Sequence, residues 1–224
     1  MDVKQIRIEP FSYQELDEET SAALFEHHLV LWEEIHPDDP PRSLDAARAR
    51  WAALPPFLRT YGWMVRQPDG QVLASAALFM LDMAENRHLA QAELEVDPAW
   101  RRQGLAWRLA RLLLEAARDE NRRLIIFSTN DRTDGGGAFA RRLGAQPGMT
   151  THTNQLDLCE LDRGLLERWQ DSGRERAADF DLGLWDGRYP EEDLEAITEL
   201  TRVMNSAPTG DLDVEEFNYT PEQI

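Results

Sequence analysis

The residues at the start of one predicted helix carry the most evident chemistry in the sequence. Arg101, Arg102, Gln103 and Gly104 form a turn between an apolar-alternating strand and an amphipathic helix. Backbone N–H groups at a helix start have no intrahelical partner, and the helix dipole adds partial positive charge there. Glycine lets a ligand approach the backbone closely, and arginines supply charge-assisted hydrogen bonds. The turn therefore predicts a site for a phosphate or pyrophosphate group.

Two carboxylates precede this turn on the strand. Glu93 and Glu95 are two residues apart, so a strand directs both side chains to the same face. Desolvation raises the pKa of such a carboxyl group and makes it a suitable proton acceptor near neutral pH. Two interpretations stay open: the carboxylates act on a ligand, or they face solvent opposite the apolar Ala92, Leu94 and Val96.

The periodicity of the sequence predicts the elements that position these residues. Alternation over residues 92–96 indicates a strand that Pro98 ends, and apolar residues at helical spacing follow over residues 104–120. The other predicted elements are strands at 3–10, 60–66, 72–81, 124–129 and 152–159, and helices at 16–35, 43–54 and around 137–143. Pro68, Asp69 and Gly70 predict the turn of a hairpin. This order of elements indicates an α/β (α+β) domain.

Composition and charge exclude several classes of function. The net charge of −18 argues against general nucleic-acid binding, which needs a basic surface. No apolar run reaches the ~20 residues that cross a bilayer, and the first residues lack the apolar region of a signal peptide. We therefore expect a cytoplasmic protein with no nucleic-acid or membrane partner. The histidines lack paired metal-ligand spacing, so no metal site is expected.

The distribution of charge is uneven. Residues 101–142 carry ten arginines against five acidic residues, whereas residues 176–224 carry thirteen acidic residues against three arginines. A basic segment inside an acidic protein fits an anionic cofactor and a cationic acceptor. The single cysteine, Cys159, lies in an apolar-alternating stretch and is predicted to be a small buried side chain.

The run from Arg101 to Ala106 resembles the Q/R-x-x-G-x-G/A signature of the GNAT superfamily, the acyl-CoA-dependent N-acyltransferases. The lead-in that starts at Val96, the long helix, and the run Gly137 to Ala145, which is similar to a later family helix, support this resemblance. It covers roughly residues 3–158. It implies a mixed, mostly antiparallel sheet flanked by helices on both faces.

The resemblance also implies a reaction. It identifies the chain as an N-acetyltransferase that moves an acetyl group from acetyl-CoA to a primary amine of a small molecule or peptide by direct attack. Glu93 or Glu95 would take the proton of the amine, and the Val96 N–H would bind the oxyanion. The residues implied to hold acetyl-CoA are Leu94, Val96, Arg101, Arg102, Gln103, Gly104, Leu105, Ala106, Asn130 and Phe139.

One position departs from the family pattern. Members often carry a Tyr after the Phe of the later helix, where it protonates the leaving thiolate, and here that position is Ala140. A CoA thiolate is a fair leaving group near neutral pH, so water can protonate it instead. The alternative is a catalytically degenerate acyl-CoA-binding domain that supports a second acyltransferase domain or a partner.

The chain divides into three predicted parts: a GNAT domain over residues 1–160, a helix and linker over 161–175, and an extension over 176–224. The extension contains a strand-like stretch from Phe180 to Trp185 and a helix from Pro190 to Met204. The run from Met204 to Leu212 resembles tandem acyltransferases of the mycothiol-synthase type. The extension is therefore an incomplete second repeat or an accessory arm, and the pattern favours part of a larger tandem protein.

A lone strand and one amphipathic helix cannot bury their own apolar faces. The predicted arm must therefore pack on the first domain or on another copy of the chain, and we expect a homodimer. The side chains that this packing must cover are Leu182, Leu184, Leu194, Ile197, Leu200 and Val203.

Overall fold

The structure, a computed structural model, describes residues 6–224 apart from the side chain of Asp134. Five strands form one sheet in which the order across the sheet follows the order along the chain. All neighbouring strands are antiparallel except the last two, which are parallel. The strands are β1 (Ile8–Phe11), β2 (Leu58–Arg66), β3 (Val72–Leu81), β4 (Leu89–Val96) and β5 (Leu124–Phe127). This confirms the predicted mixed, mostly antiparallel sheet; residues 3–5 of the first predicted strand lie outside the described residues.

Six α-helices occur in the described part of the chain: α1 (Glu18–Ile35), α2 (Leu44–Ala52), α3 (Leu105–Asp119), α4 (Asp134–Arg142), α5 (Arg163–Arg176) and α6 (Leu194–Arg202). Side-chain caps fix where the first two begin. The Asp17 carboxylate accepts the Thr20 N–H at 2.7 Å, and the Ser43 hydroxyl accepts the Ala46 N–H at 3.4 Å. These caps satisfy backbone donors that the helix itself leaves open.

The core lies between the sheet and α3. Leu105, Leu109 and Leu113 are at most 1% exposed, and they pack with Leu78 and Ala92 of the sheet. Burying each leucine contributes roughly 1.5–3 kcal/mol. The helical spacing of these leucines therefore sets which face of α3 meets the sheet, and it fixes the height of the helix start above β4.

A second cluster on the opposite face of the sheet packs against α1. Leu24 is fully buried there with Met64 and Val72, and Trp51 of α2 packs against them. The sheet therefore has helices on both faces, as predicted. Because β4 alternates, its Ala92 belongs to the α3 core, while its two glutamates lie on the α1 and α2 side.

The chain divides into two compact units, Met1–Gln146 and Pro147–Ile224. The second unit contains α5 and α6 and, among its described residues, no strand. Two backbone-to-side-chain hydrogen bonds hold part of it: Asn205 donates to the Phe217 carbonyl at 2.9 Å and accepts the Phe217 N–H at 3.0 Å.

Two predicted strands are wrong. Residues 152–159 are irregular and exposed, and Cys159 is exposed rather than buried. The alternation there includes only two large apolar side chains, Leu156 and Leu158, which are 64% and 74% exposed. Burial of so little apolar area does not offset the entropy lost in ordering a strand.

The stretch from Phe180 to Trp185 also forms no strand, although its alternation is clear. Leu182 and Leu184 are fully or almost fully exposed, so the segment has no sheet edge or apolar surface to pair with among the described residues. The predicted C-terminal extension therefore contains its helix, α6, but not its strand.

The predicted linker after residue 170 is helical instead. Helix α5 continues to Arg176 through Gly173, because one glycine costs only about 1 kcal/mol inside a helix. Of the apolar side chains expected to pack, Ile197 is buried, whereas Leu200 and Val203 are exposed. The three-part domain division and the homodimer stay predictions.

Candidate active site

The two parallel strands, β4 and β5, are paired only over the first part of β4. Their pairing stops where Ala92 faces Phe127, so residues 93–96 of β4 have no strand beside them on that edge in the described structure. The Asp97 N–H donates to the Leu73 carbonyl of β3 at 2.9 Å. Because successive residues direct their backbone groups to opposite edges of a strand, the N–H groups of Val96 and Leu94 point away from β3 into this notch. An extended ligand can pair with β4 there.

The turn that follows β4 leaves its backbone donors open. The Asp97 carboxylate accepts the Ala99 N–H at 2.8 Å, and a short 3₁₀ turn over Pro98–Trp100 leads to Arg102 and Gly104, whose φ angles are +62° and +91°. Among the described residues, the backbone N–H groups of residues 102–107 donate no hydrogen bond. These donors and the dipole of α3 form an anion cradle.

Gly104 suits the cradle for two reasons. Its positive φ belongs to the left-handed region that side-chain-bearing residues rarely adopt. A Cβ atom placed on it would meet nothing within 4 Å, so space lies open over the helix start. Leu105 is buried in the core and anchors the helix, while the Gln103 side chain turns back to the Ala99 carbonyl at 3.4 Å.

Arg101 is already engaged by the protein. Its guanidinium forms a two-point pair with the Glu34 carboxylate, at 2.6 Å for the first contact, and its Nε donates to the Val96 carbonyl at 3.1 Å. The hydrogen bonds that Arg101 donates to the Glu34 carboxylate raise the pKa of Arg101 further above its usual range. Arg101 therefore ties the end of α1 to the end of β4, and Arg102 is the exposed guanidinium of the turn.

A cleft of about 520 Å³ opens on the other face of β4. Glu93 and Glu95 lie on its sheet side, and α1 and α2 contribute the remaining walls. Both carboxylates reach the solvent that fills the cleft; the surrounding protein nonetheless removes much of their hydration. The two glutamates thus face neither the core nor the open surface, but a concave site.

Glu95 forms the central contact of the cleft. Its Oε2 lies 3.1 Å from Nε2 of His28 on α1, and the Ser75 hydroxyl of β3 hydrogen-bonds to it as well. Burial raises the pKa of Glu95 to about 7, although the Ser75 hydrogen bond and the charge of Arg42 each lower it. A carboxyl group with this pKa is a proton acceptor in about half of the molecules at neutral pH.

Two neighbours of Glu95 also have pKa values shifted so that their uncharged forms are favoured. Burial, and then repulsion from Glu95, raises the pKa of Glu93. Burial lowers the pKa of His28, against the attraction of Glu93. Neutral His28 donates Nε2–H to ionised Glu95 in one tautomer, and in the other tautomer its Nε2 accepts a hydrogen bond from neutral Glu95, so the pair can stay hydrogen-bonded in both protonation states of Glu95.

The later predicted residues lie near α4. The Asn130 side-chain oxygen accepts the N–H groups of Arg132 and Thr133 at 3.1 and 3.2 Å, so this oxygen closes a local turn before the helix. Phe139 packs edge-to-face on Trp107 of α3, with 5.5 Å between ring centroids. A role for Asn130 and Phe139 in binding acetyl-CoA stays a prediction.

Sequence reasoning missed several side chains of the cleft, namely Tyr13, His28, Arg42 and Arg50. His28 lies on α1, and nothing in the sequence indicates which strand residue it meets. No group of three or more His, Cys, Asp or Glu side chains that could hold a metal occurs in the described part of the chain. None of its helices is both long and apolar enough to cross a membrane.

The sequence matches a known protein family. Residues 21–145 match the model of the acetyltransferase (GNAT) family. This is more than half of the sequence, and the chain belongs to that family. Comparison with curated proteins gave no significant match.

Solved structures resemble the chain at low sequence identity. A tandem GNAT protein from the clavulanic acid biosynthesis pathway has 22% identity and a TM-score of 0.59, over 88% of this chain and 60% of its own. An aminoglycoside acetyltransferase from an uncultured soil metagenomic sample, solved with sisomicin, has 12% identity and a TM-score of 0.50, over 69% of this chain and 98% of its own. At these identities the likeness shows a shared fold.

Proposed function

We propose that this chain is an N-acetyltransferase that moves an acetyl group from acetyl-CoA to a primary amine by direct attack. The observation that carries the proposal is the position of Glu95. It lies in a cleft with a pKa near neutrality, on the same stretch of β4 whose open edge carries the Val96 N–H. A proton acceptor and an oxyanion donor are thus adjacent in the chain and point to different sides of one strand end.

Glu95, rather than Glu93, is the proposed base because of its contact with His28 and its pKa. His28 holds the Glu95 carboxylate at 3.1 Å, which fixes its orientation, and a pKa of about 7 suits a general base near neutral pH. Glu93 would hold the bound ammonium by charge before Glu95 accepts a proton from it. His28 is then a positioning residue that keeps its hydrogen bond in both protonation states of Glu95.

The turn and the notch fit acetyl-CoA, which would supply the acetyl group as a thioester. The open N–H groups of residues 102–107 and the Arg102 guanidinium would bind its pyrophosphate, and the edge of β4 at Leu94 and Val96 would pair with its pantetheine arm. Arg101 would contribute mainly by holding this edge in place through Glu34 and Val96.

The second candidate function is a domain that binds acyl-CoA without turnover. Ala140 favours it, since no tyrosine stands there to protonate a thiolate. The chain also resembles a tandem GNAT protein, of which it spans 60%. From the sequence we also propose that the protein is cytoplasmic and forms homodimers through its extension. The same sequence pattern leads us to propose a role in a tandem protein.

Two assays separate these functions. Calorimetric titration with acetyl-CoA should give saturable binding that weakens sharply on charge reversal of Arg102, and no binding at millimolar acetyl-CoA would contradict both. Thiol release is then measured over a panel of amines that includes polyamines, aminoglycosides such as sisomicin, amino acids and peptide N-termini. Release that depends on an amine supports the enzyme, and binding without release on any amine supports the binding domain.

A further inference from the structure

The cleft that holds the two glutamates also contains two guanidinium groups. Arg42 precedes the Ser43 cap of α2, and Arg50 lies near the end of the same helix; both line the cleft. Among the described residues, neither guanidinium forms an ion pair or a hydrogen bond. The carboxylates of the cleft are close enough to sense these charges, since Arg42 acts on Glu95 and Arg50 on Glu93.

Stacking holds one of these guanidinium groups in position. The Cζ of Arg42 lies 3.4 Å from the ring centroid of Trp32, and the His36 ring stacks on Trp32 with 3.8 Å between centroids. Stacking on an aromatic ring orients a guanidinium and leaves its N–H groups directed outward. The donors of Arg42 are therefore available to a ligand at little entropic cost.

The remaining wall of the cleft is mostly apolar. Phe25, Leu31, Ile35 and Phe79 line it between the charged groups. An acceptor that carried only positive charges would be repelled by the two guanidinium groups, and it would have no apolar part to cover the apolar wall. An acceptor with an ammonium, an anionic group and an apolar body would complement all three parts.

We propose that the acceptor is an amphoteric amine of this kind, whose anionic group binds Arg42 and Arg50 while its amine faces Glu93 and Glu95 and its apolar body covers the wall. This rests on the proposed function and names its substrate class: an apolar amino acid, or the corresponding amine with a phosphonate or phosphate in place of the carboxylate. A polycationic acceptor such as an aminoglycoside fits the cleft less well.

Matched pairs of acceptors test this directly, because they differ in one group. The pairs are L-leucine with 3-methylbutylamine and L-phenylalanine with 2-phenylethylamine, and the leucine phosphonate analogue distinguishes the two anions. The dissociation constant of each is measured by tryptophan fluorescence in the presence of CoA, since Trp32 and Trp51 line the cleft. The value of kcat/KM is measured separately with acetyl-CoA.

We expect the anionic member of each pair to bind about tenfold or more tightly, as a charge-assisted contact to a guanidinium allows. In Arg42→Gln with Arg50→Gln this preference should fall to within about threefold. Arg111→Gln, which removes an exposed arginine of α3, is the matched control and should retain the preference. Equal binding of both members of each pair would overturn the proposal.

The two readouts keep this inference apart from the proposed function. Tight binding of L-leucine without thiol release on any amine would support the anionic subsite and refute the acetyltransferase. Thiol release with equal kcat/KM for both members of each pair would support the acetyltransferase and refute the subsite.

Discussion

Replacement of Glu95 by Gln tests the proposed base with a nearly isosteric change. Gln keeps a hydrogen-bond partner for His28, whose Nε2 lies 3.1 Å from the Glu95 carboxylate, but it cannot accept a proton. Removal of a general base lowers kcat by about 10²–10⁴-fold, which corresponds to roughly 3–5 kcal/mol of activation free energy. We therefore expect a loss of at least about 100-fold in kcat at pH 8 with no comparable change in affinity for acetyl-CoA.

The pH dependence provides the sharper part of this test. The pKa of Glu95 is about 7, and its ionised form is the active one, so activity should rise with pH through this value and fall about tenfold per pH unit below it. The ammonium of the acceptor titrates too, but it does so equally in both proteins. The ratio of wild-type to Glu95→Gln kcat/KM, measured from pH 5 to 8.5, therefore isolates Glu95.

Glu93→Gln is the matched control for Glu95→Gln. Loss of one negative charge beside Glu95 makes ionisation of the remaining carboxyl easier, so the acid limb should move to lower pH with most of kcat retained. A Glu95→Gln variant within threefold of wild-type at pH 8, or a wild-type to variant ratio that does not change with pH, would refute the assignment of the base.

Three further predictions follow from other parts of the fold. The His27 ring is buried and has no hydrogen-bond partner among the described residues, and burial lowers its pKa to about 3. Between about pH 3 and 6.5 the unfolded chain therefore binds a proton that the folded protein does not. The stability of the protein falls as the pH falls below 6.5. Urea titrations should show a loss of unfolding free energy on the order of 2–3 kcal/mol at pH 4.5. His27→Leu should remove this loss, and the exposed-site control His152→Leu should not. Equal pH dependence of stability in all three proteins would contradict this. In Gly104→Ala the added Cβ meets no atom within 4 Å, but the alanine must adopt a φ of +91°. This strain of about 1 kcal/mol should lower the Tm by a few degrees. An unchanged Tm would show that the turn relaxes. Exposed Leu182, Leu184 and Leu200 predict a dimer by light scattering, whereas a monomer that proteolysis trims rapidly near Gly173 would contradict the packed arm.

The fold of the first unit could be predicted because its elements satisfy local rules that tertiary contacts reinforce. Helix α3 is an example: its leucines recur at helical spacing, Gly104 precedes it, and the structure buries the same leucines against the sheet. The hairpin of β2 and β3 follows in the same way from alternation and from Gly70, whose φ of +94° the turn requires.

The second unit could not be predicted to the same extent, since alternation makes a strand only where a neighbouring edge accepts its hydrogen bonds. Leu156, Leu158, Leu182 and Leu184 alternate with polar residues, yet no strand lies beside them in the described chain. Pattern alone does not report whether a pairing partner exists.

The candidate site also combines residues that the sequence could predict with residues that it could not. The turn from Arg101 to Gly104 and the shared face of Glu93 and Glu95 follow from spacing within one segment. His28 and Arg42 are more than fifty residues from Glu95 in sequence, and they reach it only through the packing of α1 and α2 on the sheet. Arg101 shows the reverse case, because its pairing with Glu34 changes the role that its position in the turn indicates.

The mass of the product shows whether an acetyl group has passed to an amine. Protein, acetyl-CoA and L-leucine are incubated together at pH 8, and thiol release and the mass of the amine are followed in the same reaction. We expect leucine to gain one acetyl group in step with the CoA released, and Glu95→Gln to lower the rates of both by at least about 100-fold. Release of CoA without an acetylated amine, or no release on any amine of the panel despite saturable binding of acetyl-CoA, would contradict the proposed acetyl transfer.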